Sequence, residues 1–444
     1  MCPQSDSTAT TQIHGGNPAA VFHAAPVAPP VHLSAAYSFS RLADAREAFA
    51  QRVPAFTYAR TGSPTVALLE RRMAELEGGT GAVATASGQA ALTVLLLTLA
   101  GHGGHIVASE RIYGGTADLL NDTLADAGLT VTWVDPHSPT AWEHAITADT
   151  RALLVEAIGN PHADLADLPA LARIGREHDV PLVVDSTLAT PYLVRPGALG
   201  ADFVVHSATK YLTGNGSALA GVVINTGNFS PLRRPERWPQ FTEPTARFGY
   251  ESLTDRFGAD GAVLHLARAK YLHDLGPTLA PWNAQQVLDG IQTLDVRMQR
   301  HCVTAEDIAR RLNQHPLVSR VRHPSVPGSR DAAVARRDYP RGTGAVLSFE
   351  LEGDEATVER FIDALELIIL AANIGDARTM VSHPISMTHC RLCPELLEHG
   401  EITPSTVRLA VGREDPDDLW ADLERGFAAA LAEAPAIPTA TTAR

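Results

Sequence analysis

The sequence predicts an α/β protein: a mostly parallel central sheet covered on both faces, an extended N-terminal arm before it, and a smaller C-terminal α/β domain after it. Three observations carry that prediction. Short Val- and Ile-rich runs without polar alternation recur between residues 81 and 225, as strands buried on both faces do. Helical periods separate them. After about residue 275 the texture shifts to longer helices with fewer strand-like runs. The chain has 444 residues, more than one hydrophobic core usually serves, so more than one domain is expected.

Residues 1–62 read as an arm, irregular and broken by Pro26, Pro29, Pro30 and Pro54. PTVALLERRMAELEG (64–78) has apolar residues at 66, 68, 69, 73 and 76, a helical period stopped by Gly78 and Gly79. GAVATAS (81–87) reads as a strand, GQAALTVLLLTLA (88–100) as a buried helix, HIVAS (105–109) as a strand and GGTADLLNDTLADAG (114–128) as a helix. TVTWV, ALLVEAI, PLVVDST, ADFVVHS and AGVVIN follow as strands, with LPALARIGREHD as a helix between the second and third. Residues 63–275 are therefore assigned to a large domain and 276–435 to a smaller one. In the latter, 282–316 reads as one long helical stretch, AVLSFELEG as a strand, ATVERFIDALELIILAAN (356–373) as a helix, TVRLAVG as a strand and the segment from Asp415 as a closing helix with an acidic first turn. Residues 436–444 read as a disordered tail.

Composition narrows the class. The formal net charge of −14 argues against nucleic acid or an anionic membrane as partner. There is no run of 18 apolar residues and no signal-peptide pattern at the N-terminus. Four cysteines are too few for a disulfide scaffold and fit a reducing cytoplasm. Cys390 and Cys393 have a metal-like spacing, but there is no second such pair. Even with His383 and His389 nearby, two loop cysteines and no metal is the expectation.

Ligands of open α/β sheets bind beyond the carboxyl ends of the strands. There the runs deliver Ser87-Gly88-Gln89, Tyr113, Asn160, Asp185-Ser186-Thr187, and Ser207, Thr209 and Lys210, with Glu156 inside ALLVEAI. The Ser87-Gly88-Gln89 turn opens a helix, whose amides and dipole suit a phosphate, and Ser207 and Thr209 offer hydroxyls to the same anion. A buried Asp185 needs a cationic partner, and a buried Lys210 has its amine depressed or its charge consumed in a covalent bond. An anion cradle, a lone carboxylate and a lone amine are the three grips of pyridoxal 5′-phosphate (PLP): phosphate, ring nitrogen and aldehyde. Tyr113 supplies a ring to stack on it. No GxGxxG opens a helix after a first strand, which leaves a nicotinamide enzyme without its fingerprint.

Ser207-Ala208-Thr209-Lys210, preceded by Asp185-Ser186-Thr187, resembles the Cys/Met-metabolism group of PLP enzymes, which have the aspartate-aminotransferase-like fold (fold type I). The resemblance covers nearly the whole chain. YARTGSPTVALLE, ATASGQAA, IYGGT, RWPQFTEP, HPISMTH and TVRLAVGREDPDDL are most similar to its O-acetylhomoserine sulfhydrylase branch. The resemblance implies that Lys210 is the Schiff-base lysine and Asp185 the partner of the ring nitrogen. It implies that Ser87, Gly88, Gln89, Ser207 and Thr209 hold the phosphate, that Asn160 and Thr187 lie beside the ring, and that Tyr113 stacks on it and assists proton transfer. Tyr58 and Arg60, in isolation an exposed loop, would reach the site of a neighbouring subunit, so a homo-oligomer, as a dimer of dimers, is expected. Arg408, in isolation an ordinary strand arginine, would grip the substrate carboxylate, with Asn373 and Tyr58 near it. His206 reads as structural.

The implied activity is γ-replacement on an O-acyl-homoserine, O-acetyl-L-homoserine above all, with sulfide or a thiol as nucleophile. The alternative is γ-elimination, or another nucleophile, on the same scaffold. The chain departs from that branch at Ser186, at Glu366, at the apolar Ile369-Leu370-Ala371 and at Ile385. These departures are expected to reshape the pocket for the leaving group or nucleophile.

Overall fold

The structure, a computed structural model, describes residues 7–16, 27–101 and 103–432. The predicted tail, 436–444, and parts of the arm lie outside these residues. The described arm is not wholly irregular: Thr8–His14 and Leu42–Phe49 are short helices.

Helix α1 (Pro64–Glu77) starts where the Ser63 side chain accepts the Val66 amide and ends at Gly78, which takes the left-handed conformation (φ 69°). Strand β1 (Gly81–Thr85) leads into α2 (Gly88–Ala100), capped by Ser87 Oγ on the Ala90 amide. Strands β2 (His105–Ser109), β3 (Thr130–Val134) and β4 (Thr150–Glu156) follow, then α3 (Leu168–His178), β5 (Leu182–Asp185), β6 (Phe203–Ser207) and β7 (Gly221–Asn225). The seven-stranded sheet has the order β1-β7-β6-β5-β4-β2-β3. The pairings from β6 to β3 are parallel, and β7 runs antiparallel to both β6 and β1. Hence β1, β2, β4, β5 and β6 all end at one edge. Leu182, Val183 and Val184 are fully buried, which is why these strands read as unbroken apolar runs. Residues 114–126 are helical as predicted, with a π-turn at Leu119–Thr123.

The second sheet has the order β10-β11-β12-β9-β8, built from β8 (Val318–Arg322), β9 (Val346–Leu351), β10 (Ile369–Leu370), β11 (Met380–Ser382) and β12 (Thr406–Ala410). Two predicted helices are corrected. The stretch 282–316 is two helices, α4 (Pro281–Ile291) and α5 (Leu294–Leu312). The helix expected over 356–373 stops after α6 (Glu355–Asp363). Asp422, in the closing helix α7 (Pro416–Ala430), accepts the amides of Glu366, Leu367 and Ile368 at 2.8–3.0 Å, and Ile369–Leu370 then pairs with β11 as an edge strand. Tertiary hydrogen bonds override local helix propensity there. The two sheets are tied together by Arg111–Glu401 (2.6 Å) and His162–Ser348 (2.6 Å). Among the described residues no helix is long and apolar enough to cross a membrane.

Candidate active site

A cleft opens at the common carboxyl edge of the large sheet. Each strand end predicted to carry chemistry delivers a residue to it: Ser87, Gly88 and Gln89 after β1, Tyr113 after β2, Asn160 after β4, Asp185 and Thr187 from β5, and Ser207, Thr209 and Lys210 from β6. The second sheet adds Arg408 on β12.

The anion end is a close approach of backbone to backbone. A Cβ on Gly88 would lie 2.6 Å from the Ser207 Cβ, so only glycine lets the α2 N-terminus meet the Ser207 turn. Ser207 is held there by Thr187, whose hydroxyl accepts the Ser207 amide at 2.8 Å. The same hydroxyl donates to Asp185, and the Thr187 amide donates to Asp185 Oδ1 at 2.9 Å. Burial raises the Asp185 carboxyl above the ordinary aspartate range, and the two Thr187 bonds oppose that rise. No arginine or lysine among the described residues pairs with it.

Lys210 Nζ donates to Asn373 Oδ1 at 2.7 Å. Burial, and then the Arg408 guanidinium, bring the Lys210 amine down to about 8. Arg408 is buried, with Nη1 donating to Asn160 Oδ1 at 3.1 Å and Nη2 to the Asn373 carbonyl at 3.4 Å, while Nε has no partner among the described residues. Burial lowers its pKa to about 10. A guanidinium held by its terminal nitrogens with an unsatisfied edge suits a carboxylate ligand.

Some predicted residues are elsewhere. Tyr58 and Arg60 are exposed and do not line the cleft of their own chain; the Arg60 guanidinium lies 5.4 Å from the Tyr58 ring centroid. The four departures also lie off the cleft. Ser186 is buried beneath it. Glu366 is exposed and pairs with Arg425 at 2.6 Å. Ile369 and Leu370 are exposed on the β10 edge, and Ile385 is half-buried in a turn. Any reshaping of the pocket by these four would be indirect within their own chain, since Ala372, Ile374 and Thr388 from the neighbouring positions line the cleft instead. His206 is structural as read, fully buried against Glu77 at 2.6 Å. Cys390 and Cys393 are exposed, and His383 is occupied by Ser386 and the Pro404 carbonyl. Among the described residues, the metal-ligating atoms close enough together to share an ion are those of His137, Asp164 and Asp331. Asp164 there already pairs with Arg330 and Arg111.

Two further residues support the site: Arg297, which the sequence does not point to, and Glu156, to which the sequence assigns no role. Arg297 on α5 donates to the carbonyls of Tyr211 (2.7 Å), Leu212 (3.4 Å) and Gly290 (2.7 Å), clamping the turn that follows Lys210. Gly290 permits this, since a Cβ there would lie 2.4 Å from the Leu212 and Thr213 carbonyl oxygens. Glu156 lines the cleft and accepts the Tyr113 amide. A charged residue inside an apolar run was its signal; Arg297 has none in its own segment.

One cleft brings together a helix N-terminus with two hydroxyls, an unmatched carboxylate at the end of β5 and a depressed amine after β6. These fit a dianion, a pyridinium nitrogen and an aldehyde, and the buried Asp185 charge obtains the cation it lacks.

Comparison with known proteins agrees. Residues 9–428 match the model of the family described as Cys/Met metabolism PLP-dependent enzyme. O-acetyl-L-homoserine sulfhydrylase of Corynebacterium glutamicum is 42% identical over 404 residues, 90% of this chain and 92% of the relative. The enzyme of the same name from Leptospira meyeri is 38% identical over 437 residues, 96% of this chain and 97% of the relative. Among solved structures, a Campylobacter jejuni protein assigned as an O-acetylhomoserine (thiol)-lyase, with a pyridoxyl phosphate group on a lysine, superposes with a TM-score of 0.91. It is 32% identical, with 95% of this chain and 99% of that one covered. With a family match over nearly its whole length and a cleft whose donors fit the cofactor, the chain belongs to the Cys/Met-metabolism family of PLP-dependent enzymes.

Proposed function

We propose that the chain catalyses γ-replacement on O-acetyl-L-homoserine, releasing acetate and joining sulfide or a small thiol at Cγ to give homocysteine or a methionine-type product. The observation that carries this reading is that Arg408 and Lys210, both lining the cleft, bond to one residue, Asn373. It pairs a carboxylate grip with a proton-transfer amine, in a chain 38–42% identical to proteins named O-acetyl-L-homoserine sulfhydrylase.

PLP, when bound, supplies an electron sink for charge developing at the substrate Cα. The protein does the rest. Asp185 holds the ring nitrogen, and the α2 N-terminus with Ser207 and Thr209 holds the phosphate. Asn160 and Thr187 would lie beside the ring, and Tyr113 would stack on it. Arg408 would orient the substrate carboxylate and so bring Cα within reach of the Lys210 amine. An amine near 8 is neutral in about one molecule in ten at pH 7, enough to take the Cα proton and return it later. Leu92, Leu188 and Ile374 give the cleft a buried apolar lining, which suits a thiol nucleophile over water.

Tyr58 and Arg60 reach the cleft of a neighbouring subunit in this reading, which makes the working unit a homo-oligomer, expected as a dimer of dimers. The sparse cysteines support a reducing, cytoplasmic setting. The test supplies O-acetylhomoserine with and without sulfide. Homocysteine with stoichiometric acetate is the expected result. Oxobutyrate and ammonia appearing at the same rate in both reactions would instead make the enzyme a γ-lyase.

A further inference from the structure

Glu156 ends β4 in register with Asp185 at the end of β5, so two carboxylates stand side by side on one face of the sheet at the cleft floor. Glu156 is 7% exposed. Its Oε1 accepts the Tyr113 amide at 2.9 Å. Its Oε2 is buried with no partner among the described residues. The charged and titratable groups around it are accounted for. Asp185 stands on β5, and His206 on β6 is held by Glu77. Lys210 and Arg408 converge on Asn373. Tyr113 turns in from the end of β2, and the His389 Nδ1 is held by the Thr388 hydroxyl. No arginine or lysine among the described residues pairs with Glu156.

Two adjacent buried carboxylates without a cation cannot both ionise at ordinary cost. The bonds they receive decide which keeps the charge. Asp185 takes a hydroxyl and an amide from Thr187 and faces the place where a ring nitrogen binds. Glu156 takes one backbone amide and faces Asp185, and its carboxyl is driven well above the ordinary glutamate range, by burial first and by the Asp185 charge second.

We propose that Glu156 is a positioning residue: a neutral carboxylic acid that anchors the Tyr113 turn to the sheet edge and leaves Asp185 the lone anionic partner of the cofactor ring. Tyr113 lines the same cleft, so the Glu156 side chain registers the residue that would stack on the cofactor ring. The inference rests on the PLP reading for the partner of Asp185. The protonation of Glu156 is read separately.

The experiment compares wild-type holoenzyme with Glu156→Gln and Glu156→Ala. A carboxyl whose folded pKa is raised costs stability as pH climbs above its unfolded value of about 4.3, because the unfolded chain releases the proton first. Glutamine carries no such cost. The thermal midpoint of Glu156→Gln relative to wild type is therefore expected to rise steadily from pH 5 to pH 8. A pH-independent gap, or a wild type that gains on the variant as pH rises, would mean that Glu156 is ionised and would overturn the proposal. Glu156→Ala removes the acceptor of the Tyr113 amide. It is expected to weaken PLP retention by about tenfold, and glutamine, which keeps that acceptor, is expected to restore it. An alanine variant that holds PLP as tightly as wild type would remove the anchoring role. Should the alanine variant not fold, the glutamine midpoint series still decides. Absence of a visible PLP band in wild type would defeat the cofactor reading while leaving that series readable.

Discussion

Lys210 and Asn373 lie 163 residues apart in the chain and meet in one hydrogen bond, Nζ to Oδ1 at 2.7 Å, while the Asn373 carbonyl accepts from Arg408. The proton-transfer group and the carboxylate grip therefore share a support, and the second sheet sets the distance between them. Replacing Asn373 by aspartate places an anion beside the lysine, which favours its charged form. The acid limb of the kcat–pH profile is expected to move upward by about one unit, because the neutral amine appears only at higher pH. A profile that does not move would mean that this amine does not limit the reaction.

Arg408 tests the grip itself. It is buried and fixed by Asn160, so lysine cannot reproduce its planar fork. Arg408→Lys is expected to lose about a hundredfold in kcat/KM, chiefly through KM, with the PLP absorbance retained. Steady-state kinetics with O-acetylhomoserine checks this. An unchanged KM would remove Arg408 from substrate binding.

Gly88 tests the anion cradle. A methyl group there meets the Ser207 Cβ at 2.6 Å, and both partners are fixed, one by a helix cap and the other by Thr187. Gly88→Ala is expected to push the α2 N-terminus off the phosphate and raise the PLP dissociation constant by about tenfold or more. Dialysis of the holoenzyme followed by PLP titration measures it, and a variant that retains PLP like wild type rejects the cradle.

The strand-end residues were legible because parallel strands buried on both faces read as apolar runs, so the first polar residue after each run marks the functional edge. Ser63 and Gly78 made α1 equally legible, since both caps are local. What stayed hidden depends on distant partners. Asp422 ends the helix predicted through Asn373 from more than fifty residues away. Arg297 clamps the Lys210 turn from a helix whose own pattern gives no hint of it. Position along the chain also misled: Glu366, Ile369, Leu370 and Ile385 adjoin cleft residues in sequence, yet their side chains face solvent or a turn.

Tyr58 and Arg60 give the remaining prediction. They are exposed and absent from the cleft of their own chain, whereas the resemblance puts them at the phosphate of a neighbour. If the site is shared, a protomer with Lys210→Ala and one with Arg60→Ala are each inactive as homo-oligomers. In a mixed dimer, one cleft combines an intact Lys210 with an intact Arg60, and the other carries both changes. Co-refolded equal mixtures are therefore expected to recover about a quarter of wild-type activity, the share of intact clefts for random dimer pairing. Recovery of none, with mixed oligomers demonstrated by mass spectrometry, would place Arg60 outside the neighbour's site.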